Sequence, residues 1–190
     1  VRPPAVAGLF YPDDPDDLRR LVQACFDDAA PAAHRVHAPG DPAGADLGED
    51  AAGPRALVVP HAGLVYSGPI AASAYRRLAP HAHEIRRVVL LGPSHRVAFR
   101  GVAATSADRW DTPLGPVAID TALVARVVAA GLAVVADEAH AREHALEVQL
   151  PFLQTVVPDA LLAPFVVGDA PATAVAGGVT SLACPPDTDP

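Results

Sequence analysis

Two histidines stand at the ends of matching apolar runs. In "RALVVPHAG" the apolar stretch 56–59 breaks at Pro60 and His61 follows; in "RRVVLLGPSH" a second run stops at Gly92, Pro93 and Ser94, and His95 follows. Imidazole nitrogens suit Fe, Zn, Cu or Ni, and a catalytic metal site typically combines three protein ligands with one open position. A lone loop histidine is usually polar surface. Two at equivalent places after consecutive strand-like runs point to His61 and His95 as members of one metal site, still short of a full ligand set.

A second chemical stretch is "AREHALEVQLPF". On a helix, His144 and Glu147 are three apart and share a face, so the carboxylate could orient an imidazole acting as general acid or base. The competing interpretation is a solvated face with Leu146, Leu150 and Leu153 turned inward. The overlapping "HAREH" matches the H-x-x-E-H form of one zinc-peptidase group, in which His140 and His144 hold the ion and Glu143 activates water. No Glu follows Glu147 as a distal ligand, and only Asp159, Asp169, Asp187 and Asp189 could substitute. "YSGPIAA" places Tyr66, Ser67 and Gly68 at an expected helix start, where free N–H groups favour an anionic ligand group or a simple Ser cap. Trp110 in "RWDTPLG" is a candidate pocket wall or a cover for the core.

The elements that would position these groups follow from periodicity. A proline-rich arm, "VRPPAVAGLFYP", leads into "DDPDDLRRLVQACFDDAA", whose early acids and 3.6-residue apolar spacing predict an amphipathic helix. Residues 30–55, rich in Ala, Pro, Gly and Asp, predict a mobile loop with His34 and His37 solvated. Strands are expected at "ALVV", "RRVVLL", "GVAAT" and "ALLAPFVVG", with a hairpin in "DRWDTPLGPVAID". Helices are expected from about Pro69, over "TALVARVVAAG" to a stop at Gly131, and over "EHALEVQLPFLQTVV" with a break at Pro151. Apolar strands alternating with helices imply an α/β fold whose mostly parallel sheet is covered by helices on both faces, a three-layer arrangement. Ligands in such sheets sit beyond the carboxyl ends of the strands, where His61 and His95 fall.

Length and composition agree with one domain over residues 1–190. With 51% hydrophobic residues the chain can form a core, and a net charge of -8 argues against nucleic acid or an anionic membrane surface as partner. Cys25 lies on the apolar stripe of the first helix, and Cys25 and Cys184 are too few for a disulfide framework or a CxxC knuckle. No run reaches a membrane span and no signal peptide is visible, so the expected setting is cytoplasmic.

Five ordered blocks, "RPPAVAGLFYP", "VVPHAGLVYSGPIAASAY", "RRVVLLGPSHRV", "WDTPLGPVAID" and "EHALEVQLPFLQ", resemble the Memo family, also called AmmeMemoRadiSam system protein B, from about Arg2 to Gly168. The resemblance implies a fold similar to the LigB-like class III extradiol dioxygenases. It also implies a non-haem metal, Fe(II) with Cu or Zn as alternatives, held by His61 and His95, and a pocket acid/base at His144. It implies a small-molecule substrate and association with radical-SAM and AMMECR-type proteins. Two functions stay open: an Fe(II)-dependent, dioxygenase-like oxidoreductase, or a non-catalytic binding or adaptor module. Family members continue through a strand and an S-S-D-x-S/C-H-like block that supplies a third metal position. This chain ends first at Pro190, and is expected to be truncated relative to the family.

Overall fold

The protein is described by a computed structural model covering residues 1–29 and 53–171. The loop expected at 30–55 lies outside these residues apart from 53–55, as do His34, His37, Cys184 and the proline-rich tail.

Asp14 caps the first helix, accepting hydrogen bonds from the amides of Asp16 and Asp17, and Pro15 sits in the first turn, where its missing N–H costs nothing. Helix α1 (Pro15–Asp28) then buries Leu18, Val22 and Cys25 on one stripe, as its spacing predicts. Helix α2 (Leu64–Tyr75) packs against α1. Their backbones meet closely at Gly68, where a Cβ would fall 2.3 Å from Cys25 Sγ. The start expected near Pro69 is corrected: α2 begins at Leu64, because the amides of Tyr66 and Ser67 both close on Gly63 O, and Pro69 is carried inside the helix.

A 3₁₀ stretch, Arg76–Glu84, leads to strand β1 (Arg87–Pro93), followed by β2 (Val102–Ala104) and the hairpin of β3 (Arg109–Thr112) and β4 (Gly115–Ala118). Helix α3 (Thr121–Ala129) ends just ahead of Gly131, as expected. Strand β5 (Val134–Val135), helix α4 (Asp137–Ala141), helix α5 (Leu150–Val156) and strand β6 (Leu161–Val167) complete the described elements. The main sheet has the order β1-β6-β2-β5; β1 with β6 and β2 with β5 are parallel, and β6 with β2 is antiparallel. The architecture is therefore mixed α/β with a mostly parallel sheet and flanking helices. Pro164 is tolerated in β6 because β2 pairs only with Phe165 to Val167, just past it.

Two element expectations are corrected. The run 56–59 pairs with no strand among the described residues, and Val58 is 99% exposed. The long helix expected from Glu143 is divided: residues 142–146 are turn and irregular chain, a 3₁₀ turn covers Glu147–Gln149, and Pro151 opens α5 rather than interrupting a helix. No helix among the described residues is long and apolar enough to cross a membrane.

Candidate metal centre

The parallel pairing of β1 with β6 runs to its last residue, and Ser94 extends it by donating its amide to Val167 O at 2.9 Å. Ser94 Oγ then donates to Val97 O at 2.6 Å, closing the turn that presents His95. Gly92 decides what can approach that turn. A Cβ there would stand 2.7 Å from Leu146 Cδ2 and 3.2 Å from Ala145 Cβ, so glycine gives the 144–146 segment room to lie against the end of β1. The close approach stacks the His144 and His95 rings at 4.5 Å between centroids. His61, in the loop before α2, completes the group at 5.2 Å from His95 and 5.9 Å from His144. One ligating atom of each of the three lies within 4.8 Å of the others, so the three histidines could hold a metal ion.

The carboxylate at this rim is Glu143, whose side chain is 1% exposed. Its Oε2 accepts the His95 amide at 2.6 Å, and Oε1 accepts the amides of His144 and Ala145 and lies 2.9 Å from His95 Nδ1. Burial by itself would raise the Glu143 carboxyl; the hydrogen bonds from the His95 and Ala145 amides and from the His95 ring outweigh it and hold the carboxyl below its ordinary range. His144 is pulled below the ordinary histidine value, chiefly by burial, against the raising effect of Glu143. His144 Nδ1 is 3.2 Å from Glu143 Oε1 but is not aligned to hydrogen-bond, which leaves that buried nitrogen without a partner. Three imidazole nitrogens, one from each histidine, are a donor set that suits a transition-metal ion. An open hollow of about 560 Å³ adjoins them, lined by Phe10, Pro60, His61, Tyr66 and His144.

A profile of Memo-like proteins matches residues 2–180. The chain belongs to the Memo-like family. It is 44% identical over 160 residues to a MEMO1 family protein of Methanopyrus kandleri, covering 82% of this chain and 52% of that protein. A MEMO1 family protein of Ignicoccus hospitalis is 40% identical, with 84% and 53% covered, and one of Thermotoga petrophila is 37% identical, with 95% and 64% covered. This Memo-like chain thus spans about half the length of the first two relatives.

Within the Memo-like chain, the sequence-derived candidates separate. His61, His95 and His144 come together, and Tyr66, 83% exposed, lines the hollow that His61 and His144 border. Glu147 does not orient His144. It is fully buried and accepts the amides of Ala5 and Val6 and the Tyr11 hydroxyl, with Arg2 Nη1 2.7 Å from Oε2. The helical spacing that joined Glu147 to His144 fails because the chain is not helical at 142–146. Ser67 is buried and donates to Ala62 O, so it is folded into the turn rather than offered to a ligand. Trp110 is 1% exposed beneath the Arg2 guanidinium, so it belongs to the core. His140 is also in the core, edge-on to Trp110 with Nε2 3.1 Å from Ala103 O, and α4 ends before Glu143. His140 and His144 therefore share no helix face, and the H-x-x-E-H zinc-peptidase arrangement is not formed.

Sequence reasoning missed three supports. Phe10 of the arm packs its ring 4.5 Å from that of His144. Arg2 donates to the carbonyls of His140 and Glu143, bracing the segment that carries His144. Gln149 donates to Pro60 O beside His61 and accepts from the Tyr75 hydroxyl. The available signal was Glu147 and Gln149 set among Leu146, Val148 and Leu150, since polar groups in an apolar stretch need partners when buried.

Proposed function

We propose that this Memo-like chain carries a non-haem metal site of the LigB-like type, with Fe(II) as the metal and dioxygenase-like oxidation of a small aromatic molecule as its chemistry. The convergence of His61, His95 and His144, with ligating atoms within 4.8 Å, is the observation that supports it. His61 and His95 would hold the ion, which supplies a place for substrate and O₂ to meet. His144, kept neutral by burial, takes and returns the substrate proton. Phe10 and Tyr66 line the hollow and suit the faces of a flat ring. The fuller LigB-like, three-layer fold and a third ligand beyond the described residues belong to the same proposal.

Iron analysis and O₂ uptake with a catechol panel test this reading. His61→Ala and His95→Ala should each abolish stoichiometric iron, whereas His144→Ala should keep the iron and lose turnover. Undiminished iron in both His61→Ala and His95→Ala would overturn it. A second reading rests on the exposed apolar residues Val65, Tyr66 and Ile70 of α2: a binding module serving radical-SAM and AMMECR-type partners. Bound iron without turnover on any substrate favours that module.

A further inference from the structure

The hydrogen bonds of the Glu143 carboxylate all come from nitrogen: three backbone amides and the His95 ring, with His144 Nδ1 nearby at 3.2 Å but not hydrogen-bonded. The backbone amides of His95, His144 and Ala145 can only donate, and they occupy Oε2 and Oε1 at 2.6 to 3.0 Å. With two amides donating to Oε1 and a third to Oε2, the carboxylate is held in place as an acceptor. The group at 2.9 Å, His95 Nδ1, therefore has to bring its own hydrogen. A neutral imidazole protonated on Nδ1 has its only lone pair on Nε2. The same oxygen that receives the His95 ring also receives the His144 amide, so one carboxylate ties the two stacked histidines to a common point.

We propose that Glu143 is the positioning residue of this centre: it holds His95 in the Nδ1–H tautomer, with Nε2 as the donor toward the ion, and locks His144 to the same frame. The inference rests on the metal reading above for its consequence, but not for the tautomer, which the metal-free chain must already show. A hydrogen-bonded carboxylate behind an imidazole ligand fixes ring orientation and raises ligand basicity, and removing such a partner typically costs about 10–100-fold in metal affinity.

The test uses two readouts. Two-dimensional ¹H–¹⁵N NMR of the metal-free chain should show His95 as the Nδ1–H tautomer, with Glu143→Ala moving it toward the Nε2–H form. Co(II) titration followed by visible absorption should show an affinity loss of about 10–100-fold for Glu143→Ala. Glu143→Gln, which keeps an acceptor oxygen but no charge, should fall between wild type and Glu143→Ala in affinity and guards against simple misfolding of the alanine variant. His95 found as Nε2–H in the wild type, or Co(II) affinity unchanged in folded Glu143→Gln and Glu143→Ala, overturns the inference. A wild-type chain that shows the Nδ1–H tautomer but takes up no Co(II) sinks the metal reading and leaves the tautomer assignment standing.

Discussion

Glu143 and Glu147 lie four residues apart, both buried and both holding several N–H groups, yet they serve opposite regions of the molecule. Glu147 faces the N-terminal arm, where Arg2 brings a full positive charge and Tyr11 a phenol; burial and the neighbouring carboxylate push that phenol far above its ordinary value. Its charge is answered inside the core. Glu143 faces the histidine rim, and no arginine touches its carboxylate among the described residues. Its charge is shared only among amides and imidazoles, which leaves a cation welcome there. Identical residue types thus separate into a fastener and a ligand support, according to what stands opposite each.

Breaking the arm side should give the largest effect. Arg2→Met or Glu147→Ala strands one buried charge and is expected to lower stability by about 3–5 kcal/mol in urea unfolding. Glu143→Gln should cost clearly less, and an equal loss would erase the contrast between the two sites. His140 sharpens the same comparison, since it lies beneath Arg2 on the structural side. Burial lowers its pKa from 6.5 to about 4, with the Arg2 charge adding to the fall and Asp137 opposing it. The unfolded chain therefore binds this proton more readily. The His140 contribution is complete above pH 6.5 and is lost as pH falls toward 4, to a total of about 3 kcal/mol. Thermal melts over that window should flatten in His140→Gln. The smallest effect belongs to Tyr66→Ala, within about 0.5 kcal/mol because the side chain is exposed, while ligand capture in the hollow weakens. Calorimetry together with ligand titration separates the two.

Much of this was legible in the sequence where a local rule governs. Asp14 and the spacing of Leu18, Val22 and Cys25 define α1, the apolar runs define β1 and β6, and the turn residues around Leu114 define the β3–β4 hairpin. His61 and His95 were legible by type and by position after apolar runs, whereas His144 was singled out by its spacing to Glu147 and by the family resemblance. Failures came where long-range contact overrides local pattern. Residues 56–59 look like a strand, but no neighbour among the described residues pairs with them. Glu147 looked like a partner of His144 only on the assumption of a continuous helix. Arg2 and Trp110, distant in sequence, bury one another, and no periodicity announces such a pair.

The arm attachments also bear on how the molecule comes together. Arg2 donates to the carbonyl of Glu143, 141 residues away, and the Glu147 bonds to Ala5 and Val6 span similar separations. This arm must wait for nearly all of the described chain before it can dock. Ordering over so long a loop is slow, so Phe10 should reach His144 among the last steps of folding, and the rim should gain its finished shape only then.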